Sequence, residues 1–236
     1  MRREIARPFN YGGVMTSPLS PGPLPAFDFG TILGTLDMFG IAVFAASGAL
    51  AAAAKRQTFV TFTFFALVTG VGGGTVRDLL IGAPVFWIVN SSVLVVVLAV
   101  SALLWITPQN WWEGKMLDWF DAAGLGAYGV FGAAKALQYG IEPLPAVMMG
   151  VITACVGGII RDVLAGEPSI ILRPELYVTA AALASGSYVG LRLLEVDRPV
   201  AAVIAAVAGF VLRGFAIRYN IALPAYRGGG RTDDQV

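Results

Sequence analysis

The chain has 236 residues, of which 57% are hydrophobic and 13% are charged, and its formal net charge is +1. A soluble domain carries about 25% charged residues, so this chain lacks the side chains that a water-facing surface needs. It contains no histidine and one cysteine, which excludes histidine-based catalysis, an intrachain disulfide and cysteine-cluster metal sites. The composition predicts an all-α integral membrane protein, and its near-zero net charge gives no basis for nucleic-acid binding.

Seven apolar stretches are long enough to cross a membrane as helices, which takes roughly 20 residues each. In chain order these predicted spans cover residues 33–54, 58–81, 86–106, 119–137, 144–164, 170–194 and 199–217. Residues 1–29 hold five prolines and lack the apolar core of a signal peptide, which predicts a flexible N-terminal tail. Residues 221–236 are predicted to form a C-terminal tail.

The basic residues of the short loops predict the orientation. With seven spans, the loops after spans one and three lie on the same membrane face as the C-terminus. That face carries Lys55, Arg56, Lys115, Arg218, Arg227 and Arg231. The short loops of the other face carry Arg192 and Arg198. We therefore expect a multi-pass protein of a bacterial inner membrane, with its N-terminus outside and its C-terminus in the cytoplasm.

An internal repeat relates two parts of the chain. Residues 37–84 align with residues 121–168 at an offset of 84 without a gap, and 13 of the 48 positions are identical. Because each copy contains three spans, the second copy must enter the membrane from the opposite face. This predicts two inverted three-helix repeats, over 30–109 and 110–196, followed by a seventh helix over 197–220. Inverted repeats commonly build a transport path at their shared interface, and a duplication kept only for packing is the alternative.

Polar residues within the spans are candidate functional residues, because a charge in hydrocarbon costs at least about 2.5 kcal/mol. The candidate pore and gating residues are Asp37, Thr69, Gly72, Gly73, Gly74, Arg77 and Asp78 in the first repeat and Asp121, Lys135, Thr153, Gly157, Gly158, Arg161 and Asp162 in the second. Neighbouring helical residues point about 100° apart, so we expect Arg77 to pair with Asp162 across the repeat axis. By the same reasoning Arg161 is expected to pair with Asp78.

Two alternatives stay open for these charges. Asp37 and Asp121 are alternative partners for the arginines, and the pairs either lock two helices together or line a water-filled path. Lys135 either extends to the outer membrane interface or has a voltage-sensing or blocking role. Arg213, in the last span, is expected to reach the lipid headgroups.

The glycines lie one helical turn before each arginine and share its face. Three consecutive glycines weaken a helix by roughly 1 kcal/mol each, so the run at 72–74 predicts a break or hinge. A close helix contact and exposed carbonyls that line a cavity are the alternatives. No Walker loop, serine–histidine pair or HExxH motif occurs in the sequence, which predicts a protein that is not an enzyme and needs no metal or cofactor.

The sequences GGGTVRD in the second span and GGIIRD in the fifth, within a three-plus-three-plus-one arrangement, resemble the prokaryotic branch of the trimeric intracellular cation channel family over residues 30–220. The resemblance implies a homotrimer with a hydrophilic pore in each protomer that conducts K+ and Na+. It also implies that glycine-kinked second and fifth spans wall the pore and that membrane lipid binds at the subunit interfaces. The Lys-Glu-Val segment that animal members associate with phosphoinositide is not evident here.

We therefore expect a passive, potassium-permeable channel gated by hinge motion of the second and fifth spans. Some bacterial relatives of this family are described as transporters of glycine. The alternative is thus an alternating-access carrier of glycine or another small amino acid, in which an Arg/Asp pair holds the carboxylate and the amine. A third class is a membrane scaffold that transports nothing.

Overall fold

Helices make up nearly all of the computed structural model, which describes residues 30–112, 114–173 and 175–224. The predicted N-terminal tail and residues 225–236 of the predicted C-terminal tail lie outside the described residues. The α-helices are α1 (Gly30–Ala54), α2 (Phe59–Leu80), α3 (Phe86–Val89), α4 (Ser92–Ile106), α5 (Met116–Gln138), α6 (Pro143–Ala165), α7 (Val178–Leu193) and α8 (Arg198–Tyr219). Two short 3-10 helices, Gln109–Trp112 and Ile170–Leu172, precede α5 and α7.

Apolar helices define the chain as a multi-pass membrane protein. Four of them, α1, α2, α6 and α8, are long and apolar enough to cross a membrane. Helix α5 is as long, with 23 residues, but it carries acidic and basic side chains. Helices α4 and α7 are shorter, with 15 and 16 residues. Large apolar side chains are exposed on most of these helices, and such a surface requires a hydrocarbon environment.

The third and sixth predicted spans are each interrupted, so the prediction of continuous helices there is wrong. In the third span, α3 and α4 are separated at Asn90, whose side-chain oxygen accepts hydrogen bonds from the Ser92 amide at 3.1 Å and the Ser92 hydroxyl at 2.6 Å. In the sixth span, the 3-10 helix ends at Leu172 and α7 begins at Val178. The short helices that precede the two interruptions begin at Phe86 and Ile170, which are 84 residues apart, the offset of the repeat.

Helices α1, α2, α5 and α6 pack against one another at the centre of the bundle. Helix α4 packs against α1 and α2, while α7 and α8 cover α5. Contacts between the repeats come in equivalent pairs. A Cβ atom at Gly40 would collide with the Tyr128 ring, and one at Gly124 would collide with the Phe44 ring. Because 124 and 128 lie 84 residues beyond 40 and 44, the two contacts exchange when the repeats are exchanged.

The two glycine runs meet at a close crossing of α2 and α6. Gly73 lies against the Thr153 carbonyl, and Gly157 lies against the Thr69 carbonyl, where a Cβ would stand 2.5 Å from the oxygen. Side chains at these positions would keep α2 and α6 apart. The prediction of a helix break at the run is wrong, because α2 continues without interruption through 72–74 and α6 through 157–158.

Polar contacts gather several loops at one end of the bundle, which we call the lysine end. Lys55, after α1, forms an ion pair of 2.6 Å with Glu167, after α6. Lys115, before α5, donates to the Ile217 carbonyl at 2.8 Å and to Asn220 Oδ1 at 2.9 Å, both at the end of α8. Helix α2 therefore starts at the lysine end, and α6 finishes there. Near the opposite end, Gln138, Arg192 and Arg198 line one cavity of about 290 Å³.

Candidate functional site

The first buried charge cluster centres on Asp78, near the end of α2. Arg77 donates to Asp78 Oδ1 from Nε at 2.9 Å and from Nη2 at 2.7 Å. Lys135, on α5, donates to the same oxygen at 2.7 Å. The other oxygen, Oδ2, accepts the Phe86 amide at 3.0 Å, which ends the loop after α2 and starts α3. All three charged side chains are buried, so the cluster holds two positive charges and one negative charge away from solvent.

The second cluster repeats this geometry near the end of α6. Arg161 donates to Asp162 Oδ1 from Nε at 2.9 Å and from Nη2 at 2.7 Å. Asp162 Oδ2 accepts the Ile170 amide at 2.7 Å, the equivalent of the Phe86 contact. Arg161 Nη1 also donates to Asp121 Oδ1 at 2.6 Å and to the Ser47 hydroxyl. Here one positive charge meets two negative charges.

The expected pairing of each arginine across the repeat axis is wrong. Arg77 binds Asp78 and Arg161 binds Asp162, each the next residue along the helix. The angle between neighbouring helical side chains does not prevent this, because the arginine side chain is long enough to fold back with Nε and Nη2 on one carboxylate oxygen. The alternative partner Asp121 is confirmed for Arg161. Asp37 lies close enough to Arg77 to interact with it electrostatically.

Two basic residues that were expected at the membrane interface are buried instead. Lys135 is 4% exposed and is held by Asp78, so the expectation that it extends to the outer interface is wrong. Arg213, on α8, is fully buried, and its Nη2 lies 2.6 Å from Glu175 Oε2. Its guanidinium carbon lies 5.4 Å from the centre of the Tyr177 ring. A buried cation needs partners. Lys135 has a hydrogen-bonded one, whereas Arg213 has the ion pair with Glu175 but no hydrogen bond to its guanidinium among the described residues.

The two threonines of the candidate site lie at the α2–α6 crossing and differ in their contacts. Thr153 donates to the Met149 carbonyl at 2.6 Å, within its own helix. The Thr69 hydroxyl is buried and has no hydrogen-bond partner among the described residues. One turn away from the crossing, the Tyr128 hydroxyl donates to the Gly70 carbonyl at 3.0 Å. The crossing thus contains backbone and hydroxyl oxygens in an otherwise apolar interior.

Sequence reasoning missed Ser47 and Tyr177 as members of the second cluster. Ser47 contacts Arg161 and Asp121, but its counterpart in the second repeat is Phe131, so a search for repeated polar residues passes over it. Tyr177 follows the 3-10 helix in a stretch that was expected to be a continuous apolar helix. The polar residues around the repeated Arg–Asp step therefore differ between the two copies.

This fold and these paired buried clusters define a multi-pass membrane protein with charge inside its helical core. A family model described as "Glycine transporter" matches residues 34–109 and 118–192, two segments whose starts differ by the same 84 residues as the internal repeat. A UPF0126 membrane protein of Vibrio cholerae is 38% identical over 202 residues, which cover 83% of each chain. The UPF0126 inner membrane protein YadS of Escherichia coli is 38% identical over 81% of this chain and 94% of its own.

The chain also matches solved structures of cation channels. The TRIC trimeric intracellular cation channel orthologue from Rhodobacter sphaeroides is 38% identical and has a TM-score of 0.76, with 81% of this chain and 100% of that chain covered. A second TRIC cation channel structure is 30% identical with a TM-score of 0.75, covering 84% of this chain and 98% of that chain. The chain belongs to the prokaryotic TRIC channel family, which confirms the resemblance seen in the sequence.

Proposed function

We propose that this protein is a passive, potassium-permeable channel for monovalent cations. The structures it resembles at 30% identity or more are named as TRIC cation channels. The observation that carries the proposal within this chain is the pair of equivalent charge clusters buried at the ends of α2 and α6. Buried charges in a membrane protein mark ion or substrate paths, because hydrocarbon makes them costly to keep otherwise.

In this proposal α2 and α6 line a hydrophilic pore within each protomer of a homotrimer, and K+ and Na+ pass through it. The glycine positions allow the two helices to cross closely and to move as hinges during gating. The proposed pore and gating residues are Gly72, Gly73, Gly74, Arg77, Asp78, Gly157, Gly158, Arg161 and Asp162, with Asp37, Asp121, Thr69, Thr153 and Lys135 around them. Membrane lipid is the bound component expected at the subunit interfaces.

The repeats are proposed to be inverted in the membrane. The antiparallel directions of α2 and α6 relative to the lysine end support this arrangement, as do the contacts that exchange between Gly40–Tyr128 and Gly124–Phe44. The cluster of Asp78 then lies towards the face opposite the lysine end, and that of Asp162 towards the lysine end. We propose that the lysine end faces the cytoplasm, because Lys55 and Lys115 lie there. The C-terminus would then be cytoplasmic and the N-terminus outside.

A carrier of glycine or another small amino acid is the second candidate. The description of the matching family model favours it. An arginine beside a carboxylate offers partners for both the carboxylate and the ammonium of an amino acid, and each cluster has this composition. Such a carrier would expose the two clusters to opposite sides of the membrane in turn.

Planar-bilayer recording of the purified protein separates these candidates. A channel gives unitary K+ currents far above about 10³ ions per second, whereas a carrier is limited by slower conformational steps. Saturable glycine uptake into proteoliposomes without unitary currents would replace the channel by the carrier. Absence of both signals would favour the scaffold. Chemical crosslinking in detergent is expected to reach trimers, and a limit at dimers contradicts the trimer.

Arginine variants test the role of the two clusters in the same recordings. Arg77→Ala and Arg161→Ala are each expected to change conductance or open probability, because they remove a charge beside the proposed path. Arg218→Ala, at an exposed position on α8, is the matched control and should conduct as the wild type does. Unchanged currents in both cluster variants would reduce the two clusters to structural contacts.

A further inference from the structure

A cavity at the end of the bundle opposite the lysine end contains two arginines without a counter-ion. It has a volume of about 290 Å³ and lies between the ends of α5 and α7 and the start of α8. Arg192 and Arg198 line it, and no acidic residue of the described part of the chain does. Glu195 and Asp197 lie in the same turn, but neither forms an ion pair with the two arginines. The cavity therefore carries uncompensated positive charge.

The short turn between α7 and α8 explains why the two arginines meet. Four residues, 194–197, join the helices, so the last turn of α7 and the first residue of α8 flank the same space. Glu195 takes a left-handed conformation, with φ at 61°, and its amide donates to the Arg192 carbonyl at 3.1 Å. Arg192 Nη1 donates to the Val196 carbonyl, which holds the side chain across the turn without neutralising its charge.

A buried tyrosine supplies a third polar group. Tyr188 is 2% exposed and lines the cavity, and no described residue forms a hydrogen bond with its hydroxyl. Both arginines are close enough to Tyr188 to interact with it electrostatically. Gln138, at the end of α5, adds a side-chain amide to the lining. Guanidinium, hydroxyl and amide groups all donate hydrogen bonds, so together they suit an anion with several oxygens, such as a phosphate.

The first repeat forms an equivalent cavity of about 530 Å³ at the lysine end. Six of the positions that line it, 50, 53, 54, 104, 105 and 114, recur 84 residues later in the lining of the cavity at Arg192. In three of these pairs a residue without a polar side chain corresponds to a polar one: Ala54 to Gln138, Leu104 to Tyr188, and Gly114 to Arg198. The space thus follows from the repeat, whereas these three hydrogen-bond donors are specific to the second copy.

The same cavity has an apolar side that opens towards hydrocarbon. Leu193 lines it and is 65% exposed, and the neighbouring Leu194 is 75% exposed. Exposed apolar side chains of a membrane protein face lipid, and the ends of its spanning helices lie near the headgroups. A ligand that places an anionic group on the arginines can therefore extend an apolar chain over these leucines. In a membrane, the molecule with both parts is a phospholipid.

We infer that this cavity binds the phosphate group of an anionic phospholipid, with Arg192, Arg198 and the Tyr188 hydroxyl as donors. Two arginines without a carboxylate favour a headgroup with a net negative charge, because the ammonium of a zwitterionic headgroup would be repelled. All the lining residues come from one protomer, so the site does not need the trimer. The inference goes beyond the proposed function and does not rest on it, since no lining residue belongs to the two charge clusters.

Thermal unfolding of the purified full-length protein in dodecyl maltoside tests this site. The protein is titrated with dioleoyl phosphatidylglycerol, and a saturable rise of the melting temperature is expected. Dioleoyl phosphatidylcholine has the same chains and should need at least a tenfold higher concentration for the same rise. Equal half-saturating concentrations of the two lipids, or no saturable rise with either, overturn the inference. A full rise with inorganic phosphate alone would assign the cavity to free phosphate and overturn the lipid.

Three variants connect the effect to the cavity. Arg192→Ala and Arg198→Ala each remove a charged donor and should raise the half-saturating concentration of phosphatidylglycerol at least fivefold. Arg218→Ala is the matched control, because it removes the same charge from an exposed position at the other end of α8. Wild-type half-saturation in both cavity variants, or an equal increase in Arg218→Ala, contradicts the site.

The buried tyrosine gives a test that changes no charge. Tyr188→Phe should raise the half-saturating concentration about threefold, whereas Tyr219→Phe, exposed at the other end of α8, should not. Bilayer currents separate this inference from the proposed function. K+ currents without saturable lipid stabilisation would support the channel and refute the site. Stabilisation that is lost in Arg192→Ala and Arg198→Ala, without K+ currents, would support the site and refute the channel.

Discussion

The Asp78 carboxylate binds both buried cations of the first cluster, so its removal should be among the most destabilising changes in the protein. It binds Arg77 through two hydrogen bonds of 2.9 and 2.7 Å and Lys135 through one of 2.7 Å. Asp78→Asn keeps the shape and removes the charge that both Arg77 and Lys135 bind, which leaves Asp37 as the acidic group near the two cations. Loss of one partner from a buried ion pair costs about 3–5 kcal/mol. We expect a loss in this range in the free energy of unfolding.

Combining Asp78→Asn with a change at Lys135 makes the prediction specific, because the second change should stabilise the first variant although it destabilises the wild type. Lys135→Met alone should cost about 1.5–3 kcal/mol, the value of a charged hydrogen bond, because the Arg77–Asp78 pair remains neutral overall. Added to Asp78→Asn, the same change removes one of the two unbalanced cations and should recover part of the lost stability. Unfolding by sodium dodecyl sulfate in mixed micelles, followed by tryptophan fluorescence, measures the free energy of unfolding of the single and the double variants. A loss below about 1 kcal/mol in Asp78→Asn, or a double variant less stable than Asp78→Asn, would refute the reasoning.

Two further predictions address the helix crossing and the lysine end. Gly73→Ala places a Cβ against the Thr153 carbonyl and should lower the melting temperature of the protein, whereas Gly186→Ala should not lower it; equal melting temperatures contradict a close crossing. At the lysine end, Lys55 lowers the pKa of the Glu167 carboxyl. A carboxyl whose pKa is lowered by folding contributes stability above its unfolded pKa and loses it as the pH falls through the folded value. Glu167→Gln should therefore remove a small loss of stability between neutral and acidic pH, and identical pH profiles for the two proteins would contradict the pair.

The apolar spans and the residues of the clusters could be predicted from the sequence because they depend on composition and on repetition. Hydropathy finds a helix wherever about 20 apolar residues occur, and the repeated Arg–Asp steps stand out against that background. Hydropathy could not find the interruptions of the third and sixth spans. Each interrupted span begins with a short helix, at Phe86 and at Ile170, whose amide binds an aspartate eight residues earlier, Asp78 or Asp162. Turn signals were nevertheless present, in Asn90 followed by two serines and in Pro174.

The partners of the buried charges could not be predicted, because they depend on the reach of side chains and on which helices meet. A helical wheel treats side chains as short vectors, and it therefore separated Arg77 from Asp78, whereas the long guanidinium arm joins them. One of the two expectations placed Lys135 at the outer membrane interface, whereas the packing of α5 and α2 against the same helices, α1 and α6, brings it to Asp78. A repeat search finds the residues that the two copies share and passes over the residues in which they differ. Lys135, on α5, brings an ammonium to the first cluster, whereas Ala51, at the equivalent position of α1, brings none to the second, so two clusters built on the same Arg–Asp step carry different charges.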